Sequence, residues 1–129
     1  MKKFLRVLPL IVVCLTNVLF SHQPSPILMD LGFTFEDKLL HISAFFVLGI
    51  SILFALSAYK MPKYYRIIIV IFFGANWGML DEVHQSFVPN RTAALDDWIA
   101  DVIGILISLL FIRFFYYKEP VNELPTSSN

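Results

Sequence analysis

Two short runs concentrate the side chains able to do chemistry: DKLLHISAF, from Asp37 to Phe45, and DEVHQSFVPNRTAALDDWIAD, from Asp81 to Asp101. On a helix, Asp37 and His41 are i and i+4 and share a face. Glu82 and Gln85 are i and i+3, Asp81 and Gln85 are i and i+4, and Asp97 and Asp101 repeat the i, i+4 spacing. An imidazole beside carboxylates can exchange protons as general acid and base. With Glu82 and Asp97 or Asp101, His41 can instead hold a divalent metal that activates water. A guanidinium such as that of Arg91 matches phosphate or carboxylate in a two-point fork. The same residues can also simply pair with one another and staple helix ends together. No compact metal motif such as His-Glu-x-x-His is present, and Ser43 lacks a nucleophile elbow, so no metal is assigned from the motifs alone.

The elements that must position these residues are long apolar segments. The chain has 129 residues, 57% hydrophobic and 16% charged, with a mean hydropathy of +0.70, too apolar for a soluble domain of this size. At about 20 apolar residues per span, four spans are expected, over 4–20, 39–59, 64–83 and 97–117. Gln23-Pro24-Ser25-Pro26, Lys60-Met61-Pro62-Lys63 and Val88-Pro89-Asn90 mark the breaks between them. The expected fold is all-α, an antiparallel bundle of four transmembrane helices forming a single domain over 1–118, with a disordered tail over 119–129. Lys2, Lys3 and Arg6 ahead of the first apolar run resemble the start of a signal peptide. The exit Val18-Leu19-Phe20-Ser21-His22 offers no small-x-small cleavage pair, so the span is expected to stay in the protein. Cys14, the single cysteine, then lies within the bilayer, which excludes an intrachain disulfide.

Charge sets the expected orientation. With both termini cytoplasmic, Lys2, Lys3, Arg6, Lys60, Lys63, Arg66, Arg113 and Lys118 fall inside, leaving only Lys38 and Arg91 of the 10 basic residues outside. Of the acids, Glu119 and Glu123 fall inside, and the rest lie at the outer edge. The formal net charge of zero thus hides a partition across the membrane, and the basic residues read as an orientation signal rather than a nucleic-acid-binding face.

Depth sorts the polar residues further. His41 is one turn inside its span. Asp96 and Asp97, in a first helical turn, complement the helix dipole. Asp101 sits about 6 Å deeper than Asp97, where a carboxylate needs a partner such as Arg91 or His41. His84 reads as an interfacial histidine, Arg113 as a side chain snorkelling to the inner interface, and Gly74 and Gly78 as a small-xxx-small pair allowing close helix contact.

Asp-Lys-x-x-His-x-x-x-Phe from Asp37 to Phe45, then Glu-x-x-Gln-x-Phe-x-Pro-x-Arg from Glu82 to Arg91, then Asp97 with Gly104 seven residues on, resembles the VanZ-like family of small polytopic membrane proteins. The resemblance runs from about Ser21 to Ser108 and implies functional roles for Asp37, His41, Glu82, Gln85, Arg91 and Asp97. The family often carries Asn four residues after that Asp, and here the position is Asp101. The resemblance also implies a link to reduced susceptibility to glycopeptide antibiotics, teicoplanin especially, but supplies no biochemical activity.

The resulting expectation is an inner-membrane protein of the bacterial cell envelope. Its polar cluster of Asp37, His41, Glu82, Gln85, Arg91, Asp97 and Asp101 lies on the non-cytoplasmic face and binds or shields an amphiphile, a cell-wall lipid intermediate or an anionic lipid. The lipid bilayer and such a lipid-linked envelope precursor are the expected partners. No nucleic-acid partner and no cofactor are expected. The alternative is an intramembrane hydrolase or transferase working by acid/base or metal-assisted chemistry, with His41, Glu82 and Asp97 as the metal candidates.

Overall fold

The computed structural model describes residues 2–22, 36–91 and 93–115. The Gln23–Pro26 break, the end of the fourth span at Tyr116 and Tyr117, and the tail from Glu119 lie outside the described residues. Four α-helices follow one another: α1 over Lys2–Ser21, α2 over Glu36–Leu56, α3 over Lys63–Gln85 and α4 over Leu95–Ser108. A tighter 3₁₀ segment, Leu109–Phe115, continues α4. Together these make four helical segments long and apolar enough to cross a membrane, as expected from hydropathy.

The bounds differ from the expected ones in an instructive way. Helix α2 begins three residues earlier than the apolar run and ends at Leu56, so Asp37 and His41 lie on one helix, as their i, i+4 spacing requires, and Lys38 is helical with them. Helix α3 begins at Lys63 and continues through Gln85, which carries Asp81, Glu82 and Gln85 on one continuous helix. Hydrophobicity locates the hydrocarbon-length core of a span, but backbone hydrogen bonding carries the helix past it into the polar flanks.

Neighbours in sequence run antiparallel. At one end of the bundle His22, just beyond α1, meets His84 of α3, and Lys38 of α2 meets Asp96 and Asp97 of α4. Arg6 of α1 reaches Ser57 after α2 at the other end. Helices α2 and α4 therefore lie parallel, packed closely because Gly104 faces the α2 backbone: a Cβ there would sit 2.3 Å from the Ile42 carbonyl oxygen. Helix α3 crosses α4 through the expected glycine pair, with Gly74 against Ile105 and Gly78 against Asp101. Between the helices sits a core of Phe45, Leu48, Ile52, Leu53, Val70, Ile105 and Ile112. Leu5, Phe72, Leu80 and Leu110 are among many large apolar side chains facing outward, the pattern of a surface solvated by lipid tails.

Arg66 is fully buried near the start of α3. Its Nη2 donates to the Tyr59 carbonyl at 2.7 Å and its Nη1 to that of Phe115 at 3.2 Å. The guanidinium thereby satisfies a carbonyl in the turn that follows α2 and the one at the end of the 3₁₀ segment. The charge count treats Arg66 as one orientation signal among several; the fold gives it a second task.

Candidate polar site at one end of the bundle

The C-terminal ends of α1 and α3 and the N-terminal ends of α2 and α4 gather the polar residues into one place. On α2, one turn of helix sets Asp37 at the rim, where it is exposed, and His41 inside, 9% exposed. His41 Nδ1 donates to Asp101 Oδ1 at 2.8 Å. Of the partners expected for Asp101, the structure thus selects His41. Asp101 is completely buried, with its second oxygen, Oδ2, unpaired and lying on the Gly78 side.

Asp97, one turn nearer the rim, pairs instead with Lys38, whose ammonium also meets Asp96 at 2.8 Å. Lys38 joins the acids of the α4 first turn to α2, so those acids are met both by the helix dipole and by a cation. The sequence reading places Lys38 outside but gives it no role; its position one residue after Asp37 is the signal that was available.

From α3, Glu82 Oε2 accepts from the Ala94 backbone N–H at 2.8 Å. Ala94 is the N-cap of α4 and offers no side-chain cap of its own, so a carboxylate from the neighbouring helix does that work. Glu82 Oε1 is buried without a hydrogen-bond partner. Gln85, 2% exposed, donates from Nε2 to Asp81 Oδ2 at 2.9 Å and accepts at Oε1 from Arg91 Nη1 at 3.3 Å. The expected i, i+4 pairing of Asp81 with Gln85 is thus present, and Asp81, which the motif order does not single out, belongs to the site. Arg91 reaches back because the chain reverses after α3 at Pro89 and Asn90, where Asn90 adopts φ 64°, a conformation Asn tolerates better than most residues. His84 lies beside this arrangement, its Nε2 3.3 Å from His22 Nδ1.

A cavity of about 400 Å³ opens beside these residues. Arg91, Gln85, Asp81, Asp37 and His41 line its polar end, and Val13, Leu40, Ala44, Phe45 and Val47 are among the apolar residues of its walls. Helix α1 adds two groups that the sequence reading missed. Asn17 and Ser21, i and i+4, line the cavity, and both Asn17 Nδ2 and Ser21 Oγ are buried without partners. An amide within an apolar run, with a hydroxyl four residues on, is the sequence signal that marks these two; the packing of α1 against α2 shows what they face.

Two sets of potential ligand atoms form among the described residues, and both contain His41. Asp37, His41 and Asp97 make one; His41, Glu82 and Asp101 make the other. In each set the ligand atoms lie within 4.8 Å of one another. The expected metal candidates are therefore divided: Glu82 falls with Asp101 and Asp97 with Asp37.

No curated protein and no solved structure matches the chain. The family model described as VanZ/LLP1 matches residues 6–116, extending the expected resemblance through α1 and into the 3₁₀ segment after α4. On that match, and on four helices able to cross a bilayer, this chain belongs to the VanZ-like family of multi-pass membrane proteins.

Proposed function

We propose that the cavity at the polar end receives an amphiphile, its head held by Arg91, Gln85 and His41 and its chain lying against α1 and α2, on the non-cytoplasmic face of the bacterial inner membrane. The observation that carries this reading is the two-part character of the cavity. Its α2 wall extends from Asp37 to Val47, which at 1.5 Å per residue is about 15 Å, half the thickness of a hydrocarbon core. A wholly polar ligand would waste the apolar wall, and a hydrocarbon would leave Asn17 Nδ2 and Ser21 Oγ unsatisfied. A molecule that is polar at the membrane boundary and apolar below it meets both. Guanidinium at the polar end favours a phosphate or carboxylate head, as in a lipid-linked cell-wall intermediate or an anionic phospholipid. Membership of the VanZ-like family fits a membrane protein linked to glycopeptide resistance, and sequestering an envelope amphiphile is a physical route to such an effect.

Native mass spectrometry in mild detergent tests the proposal. The wild-type protein should retain a lipid-sized adduct. Ala44→Trp, which fills the cavity wall, should lose the adduct while still melting cooperatively, and Arg91→Lys should weaken retention because an ammonium cannot form the two-point fork. Absence of any adduct from the wild type, or an undiminished adduct in Ala44→Trp, would overturn it.

One observation favours a second reading, acid/base chemistry on a lipid-linked substrate: His41 both lines the cavity and is oriented by a buried carboxylate, as a general base requires. In that case His41→Gln would abolish turnover of the retained lipid without releasing it.

A further inference from the structure

We infer that His41, Glu82 and Asp101 form a binding site for one divalent transition-metal cation, buried behind the polar end of the cavity. The three side chains come from α2, α3 and α4, and each offers a ligand atom within 4.8 Å of those of the other two. None is more than 9% exposed. Proximity of acids alone would mean little, since carboxylates often cluster without a cation. Here each acid of the set also carries an oxygen, Glu82 Oε1 and Asp101 Oδ2, buried with no hydrogen-bond partner, where water is scarce and an unmet carboxylate oxygen is costly.

The distribution of positive charge separates this set from its neighbour. Asp97 of the outer set is already met by Lys38, so a cation there would compete with an ammonium. The inner set holds two carboxylates against one imidazole. A tetrahedral ion with ligands about 2.0–2.2 Å away holds them roughly 3.3–3.6 Å apart, so seating a metal between His41 Nδ1 and Asp101 Oδ1, which stand 2.8 Å apart, replaces that hydrogen bond at the cost of a side-chain shift of less than about 1 Å. One imidazole and two carboxylates suit zinc, manganese or iron better than calcium, which takes six to eight oxygens. Three protein ligands leave a position open beside His41, which also lines the cavity. The inference goes beyond the amphiphile reading and does not depend on it, because it concerns the protein without added lipid.

The test is titration of tag-free, chelator-treated protein in detergent with Co²⁺ alone, followed by visible absorption, and with Zn²⁺ as competitor. Wild type should take up one cobalt per chain, displaced by zinc. Glu82→Gln and Asp101→Asn, both close in shape to the residues they replace, should weaken uptake at least about tenfold, the loss that even outer-sphere partners of a metal site produce. Asp37→Asn, which breaks only the outer set, and His84→Ala, which removes the exposed histidine pair, should leave uptake unchanged. No stoichiometric uptake by wild type overturns the site, and that outcome needs no variant to fold. Uptake that survives both Glu82→Gln and Asp101→Asn, or that is lost with Asp37→Asn or His84→Ala, assigns the metal elsewhere and equally overturns it.

Discussion

Asp101 stands at the centre of the polar end: fully buried, and held by His41 at 2.8 Å. Breaking a buried pair on one side strands the other group, typically at a cost of about 3–5 kcal/mol. Asp101→Ala is therefore expected to lower the melting temperature strongly in detergent, and His41→Ala on the same background to add much less than it does alone, which a double-mutant cycle measures directly. Asp101→Asn keeps an oxygen for His41 to donate to and is expected to keep most of the stability. Additive effects of the two alanine substitutions would show that the pair is not energetically coupled. The sequence already placed Asp101 a turn inside its helix and in need of a partner, but spacing along one helix could not choose between Arg91 and His41. That choice depends on which face α4 turns toward α2.

Among the elements, α2 and α4 make the most extensive contact, and Gly104 permits it. A side chain there would meet the Ile42 carbonyl at 2.3 Å and the Phe46 nitrogen at 2.9 Å, backbone atoms that cannot swing aside. Gly104→Val is accordingly expected to destabilise the protein by at least the roughly 1–3 kcal/mol usual for overpacking, and to loosen the His41–Asp101 bond across the same interface. Thermal unfolding together with cobalt uptake checks both effects; an unchanged melting temperature would mean that the two helices are not in backbone contact. Gly74 and Gly78 were legible as a small-residue pair, and they do face α4. Gly104 was legible only as part of a resemblance, because a lone glycine has no periodicity to reveal its neighbour. Arg66 went unrecognised as a buried cap for a similar reason: a cation near a helix end satisfies the positive-inside pattern equally well whether it faces lipid headgroups or, as here, neighbouring carbonyls.

For the whole molecule, we propose from the charge asymmetry that the polar end faces away from the cytoplasm. In a Cys14→Ala background, Ser86→Cys at the polar end should react with a membrane-impermeant maleimide in intact cells, whereas Lys63→Cys at the opposite end should react only after permeabilisation. The reverse pattern would invert the proposed topology and place the cavity on the cytoplasmic side. The amino-acid sequence by itself determined the four spans, their alternation and the grouping of polar residues at one end, because hydrophobicity over about 20 residues and the 3.6-residue turn are local properties. Only the tertiary structure decided which polar groups meet. Lys38 falls to Asp96 and Asp97, Glu82 to the start of α4, and His41 to Asp101, while Asn17 and Ser21 of α1 turn into a cavity that exists only once three helices pack around it. Those partnerships depend on the rotation of each helix about its own axis and on glycine contacts between helices far apart in sequence, neither of which is written in any single segment.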